Sequence, residues 1–249
     1  MVTVDHVWKR YGDKVAVRDL SFSIHPGELF AFLGRNGAGK TTTIKMMCGL
    51  LFPTEGAITI GGFNVQTHGE QARQLISYVP DQPFLYEKLT GREFLTFIAN
   101  LYGMKSDFIA DRLQTVIRQF ELTEFVDDIT ERYSHGMRQR TVFAAAFIHQ
   151  PKLLIADEPT VGLDPRSIRL LKDLLKTETA RGTTIFLSTH SLDIAQELAD
   201  RIAIVEKGQL IGCGTLAELR QQVNSDASLE ELFLKLTEEV NDPAPELVT

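Results

Sequence analysis

The most informative part of the sequence is Leu29-Phe30-Ala31-Phe32-Leu33-Gly34-Arg35-Asn36-Gly37-Ala38-Gly39-Lys40-Thr41. Its apolar beginning, up to Leu33, predicts a buried strand, and the residues from Thr41 to about Leu50 predict a helix. Between them the sequence matches the pattern Gly, four residues, Gly-Lys-Ser/Thr. Glycines let such a loop wrap tightly, so that several backbone N–H groups point at phosphate oxygens. The combination predicts a loop that binds the phosphates of a nucleoside triphosphate.

The residues of this loop have separate predicted roles. The helix that starts near Thr41 adds the positive end of its dipole to the phosphate site. We expect Lys40 to bridge the β- and γ-phosphates and Thr41 to place its hydroxyl on Mg²⁺. The alternative is a strand, turn and helix with an accidental lysine, and the flanking elements argue against it. The predicted nucleotide-binding residues of this segment are Gly34, Asn36, Gly37, Ala38, Gly39, Lys40, Thr41 and Thr42.

A pair of carboxylates follows a second buried strand, Leu153-Leu154-Ile155-Ala156. Asp157 at the tip of this strand could order the Mg²⁺ shell beside the phosphate loop. Glu158, one residue further, could polarise a water for in-line attack on the γ-phosphate. Such a pair is also typical of an exposed acidic turn before Pro159. Together with the phosphate loop it predicts hydrolysis of the bound nucleotide.

Composition limits where the protein acts and what it binds. The chain has 249 residues, of which 43% are hydrophobic, and no run approaches the roughly 18 apolar residues of a membrane span. The segment from Met1 to His6 lacks the basic and apolar regions of a secretory signal, and the two cysteines, Cys48 and Cys213, form no disulfide framework. We therefore expect a cytoplasmic protein. A net charge of −7 also argues against a nucleic-acid partner.

Short β-branched runs alternate with longer helical periods, which predicts an α/β fold. Residues 2–24 are strand-like, with Tyr11-Gly12-Asp13-Lys14 as a turn. Residues 85–150 carry apolar residues at helical spacing and predict a helical subdomain between strands. A further buried strand is expected at Thr184–Ser188. We predict one unit over 1–215 and a helical tail over 216–249.

The segment Ser134-His135-Gly136-Met137-Arg138-Gln139-Arg140 lies shortly before the Asp157 strand and resembles the signature motif of the ATP-binding cassette (ABC) family. The resemblance extends along nearly the whole chain. It implies the P-loop NTPase cassette fold, with an N-terminal antiparallel β region, a parallel-sheet core and an inserted helical subdomain. In this family Ser134 and Gly136 would contact the ATP held by the other cassette of a head-to-tail dimer.

The motif departs from the usual family form at three positions. Tyr133 replaces a leucine, His135 a glycine and Met137 a glutamine. Because the contacting Ser134 and Gly136 remain, we expect function to survive. A metal or pH-sensing role for His135 is the alternative to an exposed variable position, and we favour the exposed position.

Other family elements occur in the expected order. Tyr11 matches the aromatic residue that stacks on adenine, although taken alone it could be a half-buried tyrosine near a turn. Asp164 of Gly162-Leu163-Asp164 matches an aspartate that communicates with the opposite active site. His190 matches the histidine that contacts the γ-phosphate and supports Glu158, whereas a lone histidine after a strand is more often structural.

One departure concerns the catalytic centre. The family usually has a glutamine after Tyr-hydrophobic-Pro, where it contacts Mg²⁺ and the attacking water. Here Asp81 follows Tyr78-Val79-Pro80, and Gln82 comes one residue late. Either Asp81 fills the role as a carboxylate or Gln82 reaches it through a shifted loop. The register favours Asp81.

The resemblance implies an ATPase that uses ATP and Mg²⁺, pairs with a second cassette and drives a separate transmembrane permease subunit. The acidic residue at position 81, the segment Phe84-Leu85-Tyr86 and the tail from Ala227 to Phe233 resemble bacterial exporter-type cassettes, including the Ecs type. Such a subunit would lie peripherally on the cytoplasmic face of the membrane. The alternatives are a soluble ABC ATPase without a transport role and an ATP-gated regulatory module.

Overall fold

The computed structural model describes residues 1–222 and 228–241. The strands are β1 (Val2–Tyr11), β2 (Lys14–Ile24), β3 (Leu29–Leu33), β4 (Glu55–Ile60), β5 (Phe63–Asn64), β6 (Ile76–Val79), β7 (Leu153–Asp157), β8 (Thr184–Thr189), β9 (Arg201–Glu206) and β10 (Gln209–Gly214). The helices are α1 (Lys40–Met47), α2 (Gly69–Gln74), α3 (Gly91–Leu101), α4 (Ser106–Gln119), α5 (His135–Phe147), α6 (Pro165–Ala180), α7 (Leu192–Leu198), α8 (Leu216–Gln222) and α9 (Leu229–Asn241). None of the helices in these described ranges is long and apolar enough to cross a membrane.

The larger sheet has the strand order β10-β9-β3-β8-β7-β6. Its neighbours pair in parallel, except for the antiparallel pair of β9 and β10. Every residue of β3, β7 and β8 is buried, because a parallel sheet is covered on both faces. The predicted buried strands and the α/β fold with a parallel core are thus confirmed.

A smaller antiparallel sheet, of order β2-β1-β4-β5, forms the expected N-terminal β region. The predicted turn between Tyr11 and Lys14 joins β1 and β2. Phe22 on β2 packs against Phe30 and Phe32 on β3, with ring centroids 5.3 and 5.6 Å apart. This aromatic contact joins the two sheets in one core.

The helix after the phosphate loop is shorter than predicted. It begins at Lys40 and ends at Met47, not near Leu50. Gly49 has a φ of 68°, and its N–H donates to the carbonyl of Met46, which closes the last turn. A left-handed glycine is a common helix terminator, and this one ends α1 early.

The segment 85–150 contains α3, α4 and α5, as its apolar periodicity predicts. Thr90 and Glu93 cap α3 reciprocally, each side chain accepting from the other residue's backbone N–H. After Gly214 the chain forms α8 and α9, as the predicted helical tail requires, and Ser228 and Glu231 make a capping box at the start of α9. The rest of the predicted tail, including Ala227, lies outside the described residues.

The topology places three loops at one edge of the larger sheet. β8 lies between β3 and β7, with Leu33 paired to Thr189 and Asp157 paired to Ser188. Because these strands are parallel, their carboxyl ends meet at the same edge, where ligands bind in open α/β sheets. The loops that follow Leu33, Asp157 and Thr189 therefore share one site.

Candidate active site

A cleft of about 680 Å³ opens at this edge, and we call it the phosphate-loop cleft. It is lined by Tyr11, Lys14, Val15, Ala16, Asn36, Gly37, Gly39, Lys40, Thr41, Thr42, Asp81, Asp157, Glu158 and Lys207. Most of the residues predicted to bind nucleotide and metal are thus brought together. Gly34 and Ala38 belong to the same loop but do not line the cleft. The Gly34 carbonyl accepts a hydrogen bond from Lys40 Nζ, and Ala38 is buried.

The first turn of α1 has the geometry of an anion-binding site. Gly39 is its N-cap, with a φ of 101°, and a Cβ at this position would lie 2.8 Å from the carbonyl oxygen of Ala16. A glycine is therefore required, and it leaves the first turn without a side-chain cap. Side chains do cap α3, α5, α6 and α7. The first N–H groups of α1 have no intrahelical acceptor and can bind phosphate oxygens.

Lys40 is held at the inner end of the cleft. Only 6% of its side chain is exposed, and Nζ donates to the Gly34 carbonyl at 2.7 Å. Nζ also lies 3.2 Å from Glu158 Oε1. A buried ammonium must be paired to remain charged, and these partners supply the pairing. Lys40 can therefore exchange its ion pair with Glu158 for one with a phosphate of a bound nucleotide.

Asp157 is buried beneath the loop, with 2% of its surface exposed. Thr41 Oγ1 donates to its Oδ2 at 3.2 Å, and Ser188 Oγ donates to its Oδ1. Burial raises the pKa of Asp157 above its usual value, the two hydroxyl hydrogen bonds oppose that rise, and the charges of Asp81 and Glu158 add to it. A cation at this point would relieve both the burial and the repulsion.

These groups form a fitting partial site for Mg²⁺. The hydroxyl of Thr41 and the carboxylates of Asp157 and Asp81 are hard oxygen donors, which Mg²⁺ prefers. Within the described ranges no group of three or more His, Cys, Asp or Glu side chains could hold a metal ion alone. Magnesium is ordinarily bound by one or two carboxylates together with water and substrate phosphates, so the incomplete donor set agrees with that chemistry.

Glu158 and His190, which the sequence predicts to act together in catalysis, are in contact. His190 Nδ1 lies 2.8 Å from Glu158 Oε2, which also accepts the backbone N–H of His190 at 3.3 Å. The other carboxylate oxygen, Oε1, is buried and accepts no hydrogen bond. Glu158 has a φ of 46°, a left-handed conformation that non-glycine residues adopt at a cost. The Glu158 carboxylate is thus held on both sides, with Oε1 facing Lys40 Nζ and Oε2 facing His190.

The structure separates the two candidates for the missing glutamine. Asp81 lines the phosphate-loop cleft, whereas Gln82 does not. The Asp81 carboxylate accepts the backbone N–H of Gln82 at 2.9 Å and is close enough to raise the pKa of Asp157. The arrangement therefore favours Asp81, in the register that the sequence suggests.

Tyr11 lies at the mouth of the cleft and is 49% exposed. Lys9 Nζ is 5.3 Å from the centroid of its ring. An exposed phenol ring of this kind can stack on a planar base. Its position beside the phosphate loop is consistent with the predicted contact to adenine.

The remaining predicted residues occupy a different cleft of about 600 Å³, which we call the Ser134 cleft. Ser134 caps α5 and accepts the N–H of Met137 at 3.3 Å. Asp164 caps α6, and the Ser167 hydroxyl donates to it at 2.6 Å, which together with backbone N–H groups lowers the pKa of Asp164. Gly136 lies next to the cap of α6, since a Cβ at this position would be 3.1 Å from Ser167 Oγ and 3.8 Å from Asp164 Oδ2. A single chain therefore does not bring these residues to the phosphate-loop cleft.

Several residues of the site were missed by sequence reasoning. Lys14, Val15 and Ala16 enter the phosphate-loop cleft from β2, and Lys207 enters from the turn between β9 and β10. Ser188 donates to Asp157 from β8. Lys207-Gly208 departs from the Asn-Gly or Asp-Gly signal of a two-residue hairpin, and nothing in the sequence indicates that this hairpin reaches the phosphate loop.

Comparisons with known proteins agree with this geometry. A family model described as ABC transporter matches residues 17–161. The chain is 37% identical over 230 residues to the linearmycin resistance ATP-binding protein LnrL of Bacillus subtilis (strain 168), covering 92% of this chain and 74% of that protein. It is 33% identical over 240 residues to the ABC-type transporter ATP-binding protein EcsA of the same organism, covering 96% and 97%.

A solved structure adds evidence for the fold. The dimeric structure of a post-hydrolysis state of the ATP-binding cassette MJ0796, bound to ADP and Pi, matches with a TM-score of 0.78 and 25% identity. The match covers 87% of this chain and 99% of that one. Family, relatives and fold agree with the motifs of the phosphate-loop cleft, including the resemblance to the Ecs type. The chain therefore belongs to the ABC transporter family, as an ATP-binding subunit with ATPase activity.

Proposed function

We propose that this subunit hydrolyses ATP between two cassettes arranged head to tail and thereby drives a separate transmembrane permease subunit. One observation carries the proposal, namely that the chemistry is divided between two clefts of one chain. Lys40, Asp157 and Glu158 line the phosphate-loop cleft, whereas Ser134 and Gly136 line the Ser134 cleft. A head-to-tail pair would place the Ser134 cleft of one cassette over the ATP of the other. The similar cassette MJ0796 is dimeric with ADP and Pi bound.

Thr41, Asp157 and Asp81 are the residues that would hold Mg²⁺. When bound, Mg²⁺ neutralises charge on the β- and γ-phosphates. The chain itself supplies the Thr41 hydroxyl, in the first turn of α1, and the buried Asp157 carboxylate, 3.2 Å apart. Ser188 fixes the orientation of that carboxylate through its second oxygen. Gln82 is the alternative to Asp81, and the lining of the cleft supports Asp81.

Glu158 is the proposed general base. Once Lys40 has moved to the phosphates, Oε1 would accept the proton of the attacking water, while His190 holds Oε2 in place. The water oxygen attacks the γ-phosphorus, the bond to the β–γ bridging oxygen breaks, and ADP and phosphate form. Phosphate oxygens would draw Lys40 from Glu158, which frees the carboxylate for the water. Tyr11 would stack on the adenine of the same nucleotide.

The surface proposed to bind the permease is an exposed aromatic patch formed by Phe84, Tyr86 and Phe97. Phe84 is 69% exposed and packs against Tyr86, with ring centroids 5.5 Å apart. Tyr86 in turn contacts Phe97 on α3 at 5.4 Å. Leu85, between them in sequence, is buried in the chain's own core. Leu85 thus packs inside the chain, whereas Phe84 and Tyr86 form an apolar surface suited to a partner.

Resemblance to exporter-type cassettes supports the direction of transport, and the name of the relative LnrL refers to resistance. A chain that works with a permease would lie peripherally on the cytoplasmic face of the membrane. Direction is measured with inverted membrane vesicles that contain both subunits, where an exporter concentrates its cargo inside. The homo- or heterodimeric form is measured by co-purification of differently tagged cassettes.

The first test compares the wild-type chain with Glu158→Gln in ATP hydrolysis and ATP-dependent dimerisation. The wild type is expected to release phosphate, and the variant to be slower by about 100-fold or more because it lacks the base. The variant should also remain dimeric with ATP. Single-turnover measurements of phosphate release on the wild type with its permease separate an ATPase from an ATP-gated regulatory module. Binding without any phosphate release would refute the proposed reaction.

A further inference from the structure

The turn between β9 and β10 consists of Lys207 and Gly208, which have φ values of 48° and 80°. It joins the paired residues Glu206 and Gln209, so it is a two-residue hairpin loop with positive φ at both central positions. Turns of this kind strongly prefer Asn-Gly, because asparagine tolerates the left-handed conformation. Lysine at the first position is a poor choice for the turn itself. A residue that breaks a local rule without a structural gain suggests function.

The turn is fixed to the phosphate loop by its backbone. The N–H of Gly208 donates to the carbonyl of Ala38 at 3.0 Å, and the N–H of Arg18 donates to the carbonyl of Gly208 at 2.8 Å. A Cβ at Gly208 would lie 2.6 Å from the carbonyl oxygen of Ala16, so the close packing requires glycine there. Packing thus explains Gly208 and anchors the backbone of Lys207 beside the phosphate loop.

The Lys207 side chain is exposed and lines the phosphate-loop cleft. Within residues 1–222 and 228–241, no carboxylate or carbonyl lies within hydrogen-bond or ion-pair distance of its ammonium group. Lys40, at the inner end of the same cleft, already pairs with Glu158. Lys207 is therefore an unpaired cation whose turn is hydrogen-bonded to Ala38 of the glycine-rich loop, and the backbone of such loops cradles the α- and β-phosphates.

We infer that Lys207 is a further nucleotide-binding residue, whose ammonium contacts the α- and β-phosphates of the bound nucleotide. The inference rests on the proposed function of the phosphate-loop cleft. ATP and ADP share these phosphates, so Lys207 contributes to the affinity for both and leaves the hydrolysis step to Glu158. Because the backbone of the turn is already fixed, the contact of the Lys207 ammonium with the phosphates costs little conformational entropy beyond that of its own side chain.

The test measures dissociation constants for MgADP and MgATP by calorimetry at low and high salt, together with thermal unfolding. Lys207→Asn is the informative variant, because asparagine suits the turn better but removes the ammonium. It should unfold at an unchanged or higher temperature and bind both nucleotides about fivefold more weakly, with a smaller salt dependence. Lys207→Arg should bind nearly as the wild type does. Lys105→Asn, an exposed charge loss before α4, controls for net charge.

Three outcomes would overturn the inference. One is a Lys207→Asn variant that is stable and binds both nucleotides like the wild type. Another is a loss of affinity for MgATP alone, since a contact to the shared phosphates affects MgADP equally. A third is the same loss in Lys105→Asn, which would show a general effect of charge. A wild-type chain that binds no nucleotide would instead refute the proposed function of the cleft, and the role of Lys207 with it.

Discussion

Replacing the buried Asp157 by asparagine should stabilise the ligand-free chain while destroying its chemistry. The carboxylate is 2% exposed, and its pKa is raised by burial and by the charges of Asp81 and Glu158. A carboxyl group whose pKa is raised on folding contributes stability that is present below the unfolded pKa. That contribution is lost as the pH rises through the folded pKa. At neutral pH the ionised Asp157 therefore weakens the fold.

The size of the effect follows from what the substitution keeps and removes. Ser188 and Thr41 can keep hydrogen bonds to an amide, because a hydroxyl both donates and accepts. The buried charge and the repulsion from two carboxylates disappear. The net gain should be about 1 kcal/mol, the size common for stabilising changes at functional sites. For a chain of this length that corresponds to a rise of about 2–4 °C in the unfolding temperature.

The assay is thermal unfolding in a metal chelator from neutral to acidic pH, repeated with Mg²⁺ and ATP. Asp157→Asn should unfold at the higher temperature near neutral pH, and the gap should close in acid as Asp157 becomes protonated. Mg²⁺ and ATP together should stabilise the wild type more than the variant. Asp164→Asn is the matched control, since hydrogen bonds lower the pKa of Asp164 and its charge favours folding.

A lower unfolding temperature for Asp157→Asn at neutral pH would refute this reasoning, since it would show that the ionised carboxylate stabilises the empty site. A gain that does not diminish in acid would also contradict it, because the change would then act through packing and not through charge. The Asp164→Asn control should show no gain at neutral pH.

Two further predictions concern the support of the site and its partner. Ser188→Ala removes the hydrogen bond to Asp157 Oδ1 and should raise the Mg²⁺ concentration needed for hydrolysis about 10-fold or more, and an unchanged requirement would contradict this role. The double variant Phe84→Ser, Tyr86→Ser should bind ATP normally but co-purify less with permease-containing membranes. Phe108→Ser, which alters an exposed phenylalanine on α4, should not reduce co-purification, and equal losses would place the partner elsewhere.

The catalytic segments could be predicted because their signals are local. Strand, glycine-rich loop and helix follow one another within residues 29–47, and Asp157 and Glu158 follow the apolar run of residues 153–156. Because the strands that precede them are parallel strands of one sheet, these segments then lie together at one edge of the sheet, and no further sequence signal is needed to predict this. The placement of these segments could thus be predicted from a short motif and the topology of parallel strands, while their catalytic roles stay a prediction.

Contacts between distant segments could not be predicted. Gly208 donates a backbone hydrogen bond to Ala38, but the two residues are far apart in the sequence and belong to no common motif. The hairpin that carries Lys207 was therefore not assigned to the site. Tyr133, in place of the usual leucine, is buried and donates its hydroxyl to the Phe125 carbonyl at 2.8 Å. The extra hydroxyl is satisfied by an irregular loop whose path the sequence does not reveal. Such pairings depend on tertiary structure and not on local pattern.

The segment from Asp157 to Pro165 runs between the two clefts and is in contact with α5. Glu158 at one end faces the phosphate-loop cleft, and Asp164 at the other end faces the Ser134 cleft. Between them, Gln139 Nε2 donates to the Pro159 carbonyl at 3.1 Å, a buried contact from α5.

His135, which replaces a family glycine, is exposed as expected, but its Nε2 lies 3.3 Å from the Val161 carbonyl. This side chain adds a second link between α5 and the 157–165 segment, in addition to the contact made by Gln139. If the Ser134 cleft binds the nucleotide of a second cassette, as proposed, a movement of α5 would reach the backbone after Glu158 through these two contacts. In this chain the variant residue of the signature motif therefore supplies one of the two side-chain contacts between α5 and the segment that joins the clefts.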